Sequence, residues 1–94
     1  MYKRGVGKVL AALPERVGAA LDDLVEDLKD SGPEQKDWPN FKQLKGQKRQ
    51  KKTERRYHCH LKKGKPTYVA CWEVVGQSIE IEIYYVGAHE SAPY

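Results

Sequence analysis

Residues 56–86, RYHCHLKKGKPTYVACWEVVGQSIEIEIYYV, decide the fold. Residues 56–62 alternate, with Tyr57, Cys59 and Leu61 on one side and Arg56, His58, His60 and Lys62 on the other. Lys63-Gly64-Lys65-Pro66 reads as a turn. Residues 67–75, TYVACWEVV, are rich in β-branched and aromatic side chains and suit a central strand. Gly76-Gln77 reads as a second tight turn. In residues 78–86, SIEIEIYYV, the alternation returns, placing Ile79, Ile81, Ile83 and Tyr85 on one face and Glu80, Glu82 and Tyr84 on the other. Gly87 ends this strand. Three strands joined by short turns predict an antiparallel meander with one face on a core and one face wet.

Upstream, the spacing changes from two to 3.6. Residues 6–13, VGKVLAAL, read as a short helix broken at Leu13-Pro14, and Pro14 suits the first turn of a second helix. From Glu15, Val17, Leu21, Leu24 and Leu28 fall on one helical face, with Asp22, Asp23, Glu26 and Asp27 on the other side. Ser31-Gly32-Pro33 stops the helix, with Gly32 as its C-cap. The expected fold is therefore α+β: an N-terminal helical hairpin (6–30) on one face of a three- to four-stranded antiparallel sheet. Residues 33–55 are expected to be a basic connecting segment anchored by Trp38, Phe41 and Leu44, residues 56–86 the meander, and 87–94 a tail. The run from Gln47 to Arg56 is nearly all polar, and so long a polar loop in a small domain is functional or disordered.

At 94 residues the chain fits one domain, and only about 60–65% of its unfolded surface can be buried, so the core is modest. With 39% hydrophobic and 32% charged residues the balance is globular rather than disordered. No apolar run approaches the ~18 residues of a membrane span, and the basic start, Met1 to Gly5, leads into no signal-type apolar region. The chain therefore reads as cytoplasmic, with no membrane partner. Cys59 and Cys71 lie equally far from Lys65, so a hairpin centred there would set them opposite each other. In a cytosolic chain they read as two reduced, half-buried thiols rather than a cross-strand disulfide.

The net charge of +4 is unevenly spread. Residues 1–34 carry five basic and seven acidic side chains; residues 35–65 carry twelve basic side chains against Asp37 and Glu54; residues 66–94 carry four Glu and no Lys or Arg. All the excess positive charge lies in one contiguous stretch, which raises the local concentration of polyanions. A solvated basic loop without a partner is the plainer alternative.

The chain's three histidines all lie in its C-terminal half. His58 and His60 share a strand face, and His89 follows the last strand at the sheet edge where the meander begins. Histidine moves protons near neutral pH. RNA cleavage by internal attack needs a base for the 2′-hydroxyl, an acid for the leaving 5′-oxygen and cations for the phosphate, and two or three His beside Lys and Arg supply all of these. Two alternatives stand beside this. The imidazoles are ordinary surface residues, or His58 and His60 hold a metal completed by His89 or Glu80. Against the metal, no Cys is expected on their face and no second ligand pair is evident.

With those residues in view, the chain from residue 9 to 94 resembles the RelE/ParE superfamily of bacterial toxin–antitoxin toxins. The resemblance rests on Leu13-Pro14, on Phe41-Lys42-Gln43-Leu44-Lys45-Gly46, on the strand opening Arg56-Tyr57, and on Tyr85-Val86-Gly87-Ala88-His89. It implies a ribosome-dependent mRNA endonuclease that represses translation and is silenced by a cognate antitoxin; separately, from the residues, no cofactor and no metal are expected. His58 and His60 fall where the family carries catalytic basic residues, His89 follows the V-G-x element, and Tyr94 matches the closing aromatic at one residue short. The pattern is closest to the YafQ-like and HigB-like branches, which use His. Two departures stand out: too few residues precede Leu13-Pro14 for a full first strand, and the family's middle-strand Arg aligns with Val69.

The expected catalytic set is thus His58, His60, His89 and Tyr94, with His60 and His89 as the proton-transfer pair and His58 orienting or stabilising the phosphate. Lys45, Lys48, Arg49, Lys51, Lys52, Arg55, Arg56 and Lys62 are expected to bind RNA backbone. The rival expectation is a non-catalytic module, either a ParE-like gyrase inhibitor or a basic RNA-binding protein, in which the cluster from Gln47 to Arg56 matters and the histidines do not.

Overall fold

A computed structural model describes residues 1–46, 50, 54–75 and 80–94. The chain is α+β: helices α1 (Val6–Leu10) and α2 (Glu15–Ser31) pack on a four-stranded antiparallel sheet, β1 (Lys42–Leu44), β2 (Arg55–Lys62), β3 (Tyr68–Val75) and β4 (Glu80–Ala88), in the order β1-β2-β3-β4. A single 3-10 turn, His89–Ser91, follows β4. Among the described residues no helix is long and apolar enough to cross a membrane.

The amphipathic spacing of α2 acts as the sequence predicts. Val17, Leu21, Leu24 and Leu28 are all buried, and burial of each contributes roughly 1.5–3 kcal/mol. The carbonyl of Pro14 accepts from the N–H groups of Val17 and Gly18, and Gly32, at φ +85°, donates its N–H to Leu28. The first helix is shorter than expected, ending at Leu10 rather than Leu13; Ala12 and Leu13 bond back to Val9 and Leu10 in a closing turn. The two helices also meet different strands: α1 lies against β4 and α2 against β2.

Residues 33–55 were expected as a connection, yet they contain β1, which pairs Lys42 with His58 and Leu44 with Arg56. Three residues are too few to show a period of two. Trp38 and Phe41 do pack against the core. Phe41, Tyr57 and Trp72 stack with ring centroids 5.7–6.2 Å apart, and Trp72 Nε1 donates to the carbonyl of Pro33 at 2.9 Å. At the opposite edge Met1–Lys3 runs beside β4: Ile83 donates to Met1 O, Lys3 donates to Ile83 O, and Tyr2 bridges Ile83 in parallel. That one bridge stands where a full first strand was absent from the sequence.

Two irregularities reset the faces. Between His60 and Lys62 the β2–β3 register shifts by one, so His58, not Cys59, lies opposite Cys71, and Cys59 lies opposite Ala70. The two cysteines therefore project from opposite faces, and both are fully buried free thiols rather than half-buried ones facing each other. Between β3 and β4, Cys71 faces Tyr85 while Trp72 faces Ile83, leaving Tyr84 as a bulge. Simple alternation put Tyr85 with Ile83; the bulge carries Tyr85 to the far face and turns Val86 into the core. The expected Gly76-Gln77 turn and Ile79 lie outside the described residues.

Candidate functional site

The alternation of β2 sends Tyr57, Cys59 and Leu61 into the helix-covered core and leaves His58 and His60 on the other face. Ladder partners across β3 are Cys71 for His58 and Val69 for His60, both buried. A cysteine does therefore share the histidine face, contrary to the sequence expectation. Lys42 of β1 is the partner of His58 on the other side.

His89 is placed by the end of β4. Its N–H donates to Thr67 O at 2.8 Å, fixing it beside the start of β3. The hydroxyl of Tyr85 donates to Ala88 O at 2.7 Å, pinning the last peptide before it. Gly87 makes room for this: a Cβ there would stand 2.8 Å from Tyr85 Oη. The 3-10 turn then reverses the chain, with Ala92 N–H on His89 O, and lays Tyr94 over His58.

Four rings result in one closed circuit. Tyr94 stacks on His58 at 4.3 Å between centroids, His58 lies 6.4 Å from His60, His60 meets His89 edge-on at 5.4 Å, and His89 meets Tyr94 edge-on at 6.0 Å. The structure thus brings His58, His60, His89 and Tyr94 together. The face is less open than expected at His58, which Tyr94 covers to 6% exposure, while His89 and Tyr94 are exposed. An open groove of about 780 Å³ adjoins the cluster between His60, His89, Glu90 and the turn from Gly64 to Thr67.

Burial lowers the pKa of His58, helped by the neighbouring His60, Lys42 and His89. His60 is lowered too, first by burial and then by His89 and Lys63. Both rings are therefore biased towards the neutral form, the form that accepts a proton. Burial pushes the phenol of Tyr94 up to about 12, so it stays protonated at neutral pH. The Cys71 thiol is likewise pushed up to about 12, which keeps it from acting as a nucleophile.

The Nδ1 atoms of His58 and His60 are buried and have no hydrogen-bond partner among the described residues. Glu80 stands at the far end of β4 from His89, roughly 25 Å along the strand, and does not complete a shell. Among the described residues no three His, Cys, Asp or Glu side chains are arranged to hold a metal ion.

Among the described residues, the expected RNA-binding cations are dispersed. Lys48, Arg49, Lys51 and Lys52 lie outside the described residues. Lys45 and Arg55 are exposed and line a separate groove with Gln43, Gln50 and Glu54. Arg56 is engaged by carboxylates: its Nε lies 3.1 Å from Glu73 Oε2 and its Nη2 3.3 Å from Glu54 Oε2, with the guanidinium 5.4 Å from the Tyr84 ring centroid. Lys62 is exposed at the His60 end of β2. Lys42 and Lys63, which lie outside the expected cation set, are the cations that act on His58 and His60. Lys42 is found only once β1 is recognised, whereas Lys63 is the turn residue after Lys62.

No family model, no curated protein and no solved structure matches the chain.

Proposed function

We propose that the chain is an endoribonuclease of the kind its resemblance to RelE/ParE toxins implies, cutting mRNA on the ribosome and held silent by an antitoxin. The observation that carries the reading is the closed circuit of His58, His60, His89 and Tyr94, with centroids 4.3–6.4 Å apart beside an open groove. His60, biased neutral, takes the proton from the ribose 2′-hydroxyl. The 2′-oxygen attacks the adjoining phosphorus, and the bond from phosphorus to the 5′-oxygen breaks. His89 gives its proton to that oxygen, leaving a 2′,3′-cyclic phosphate and a free 5′-hydroxyl.

Two roles change from the sequence reading. A neutral His58 beneath Tyr94 is a poor counter-charge for phosphate and serves instead to seat the Tyr94 ring. The positive charge near the reacting phosphate comes from Lys62 and Lys63 beside His60, since Arg56 is already paired. The protonated phenol of Tyr94 does not act as the base, and its ring serves as the cover of His58.

The test is primer extension on mRNA from cells expressing the wild-type chain, His60→Ala or His89→Ala. The wild type is expected to arrest growth and to leave cuts at A-site positions; each variant is expected to lose about 10²–10⁴-fold in cleavage while staying folded. Growth arrest that survives both substitutions but falls with Lys45→Ala/Arg55→Ala would favour the non-catalytic module.

A further inference from the structure

Two grooves meet at His60. The larger, about 780 Å³, holds His60 and His89 on its walls with Lys65 and Glu90. The smaller, about 250 Å³, also has His60 in its wall, with Pro39, Asn40, Leu61, Lys62 and Lys63. His60 is the residue that both share. The larger volume lies in the range of about 300–1,000 Å³ that holds a small organic ligand, and the smaller falls below it. Their charges differ as well. Two lysines and no carboxylate line the smaller groove, whose wall is otherwise mostly carbon, while a lysine and a glutamate both line the larger.

Backbone bonds fix the walls. His60 N–H donates to Pro39 O at 2.8 Å, locking the segment that carries Asn40 onto β2, and Asn40 turns that segment at φ +55°. His89 N–H on Thr67 O ties the far wall of the larger groove to the β2–β3 turn. The hydroxyl of Thr67 donates to Gly64 O at 3.1 Å within that turn. A ligand meeting both grooves must be extended, with a bulky neutral-to-polar unit in one groove and a compact anion in the other. A polynucleotide has that alternation.

We infer that single-stranded RNA crosses His60 between the two grooves, its nucleoside in the larger one and the adjoining phosphate held by Lys62 and Lys63 in the smaller. This rests on the endoribonuclease reading. The phosphate beside the reacting bond is thereby held where β2 runs into the β2–β3 turn. The mixed Lys65 and Glu90 wall suits a base and ribose, which offer both donors and acceptors.

The test is fluorescence anisotropy with a 2′-O-methyl RNA of about ten nucleotides, which blocks attack by the 2′-oxygen, at salt between about 50 and 200 mM. Lys62→Ala/Lys63→Ala is expected to flatten the slope of log K against log salt by about 1.4, at ~0.7 for each single-strand phosphate that is no longer neutralised. Lys8→Ala/Lys29→Ala, on the helices, is expected to leave it unchanged. An unchanged slope in the first variant, an equal fall in the second, or no binding by the wild type would overturn the inference. Cleavage of mRNA in cells by His60→Ala and His89→Ala separates the two failures. If those variants cut normally the endoribonuclease reading falls, and if they are inactive while the lysine slope is unchanged only the groove assignment falls.

Discussion

Gly87 lies directly beneath the phenol of Tyr85: a Cβ on Gly87 would stand 2.8 Å from Tyr85 Oη and 3.1 Å from its Cζ. The phenol cannot simply move aside, because it donates to Ala88 O, the peptide that precedes His89. Gly87→Ala therefore displaces the ring, the Ala88 peptide, or both. We expect it to destabilise the fold by about 1–3 kcal/mol, the usual range for overpacking, and to lower mRNA cleavage through misplacement of His89. Chemical denaturation and primer extension read the two effects. Gly87→Ala/Tyr85→Phe, which removes the nearer atom, is expected to recover part of both.

Tyr94 and His58 supply a second prediction. Their stack at 4.3 Å belongs to the range in which aromatic pairs add about 0.5–1.5 kcal/mol beyond area burial. Because the Tyr94 hydroxyl stays protonated, it cannot serve as a base at neutral pH. Tyr94→Phe keeps the ring and is expected to hold cleavage within about threefold of wild type. Tyr94→Ala removes the cover of His58 and is expected to cost about three- to tenfold through the stack alone. It should also raise the His58 pKa towards its ordinary value, which titration of the imidazole by NMR would follow.

How far these features were legible in the sequence depends on whether local period survives to the sheet. In β2 it does, so the shared face of His58 and His60 could be read from residues 56–62 alone. In β4 the bulge at Tyr84 breaks the period without any mark in YYV, because tyrosine is at home on either face. Cys59 and Cys71 look opposed by counting from Lys65, and one shifted residue in the ladder separates them onto two faces. β1 was hidden by its length. Tyr94 reaches His58 only through the reversal in the 3-10 turn, which nothing in ESAPY announces.

The histidine pKa directions predict how cleavage and stability respond to acid. His58 and His60 are both lowered in the folded chain, first by burial. Below the ordinary histidine value of about 6.5 the unfolded chain takes up protons that the folded chain resists. Folding is then weakened as the pH falls from about 6.5, and the penalty stops growing once the pH has passed below the lowered folded values. Thermal melts are expected to give a lower Tm at pH 5 than at pH 7.5, with a smaller difference for His58→Phe. A base that is neutral in the resting site also sets the acid limb of kcat/KM below 6.5. An acid limb centred above 6.5 would rule out His60 as that base.

Arg56 and Glu73 set the last prediction, which separates a structural cation from an RNA-binding one. The Glu73 side chain is 8% exposed; its Oε2 pairs with Arg56 Nε at 3.1 Å, and its Oε1 lies 3.6 Å from the largely exposed Lys3. Removing Arg56 leaves a buried carboxylate with one loosely held partner, and also removes the guanidinium from beside Tyr84. Arg56→Ala is therefore expected to cost about 2–4 kcal/mol of stability. Arg56→Ala/Glu73→Gln, which takes away the stranded charge, is expected to regain much of that. If the guanidinium instead served mainly to hold RNA, Arg56→Ala would unfold at the wild-type denaturant midpoint and lose only binding. Denaturant midpoints of the two variants beside the wild type decide between the roles.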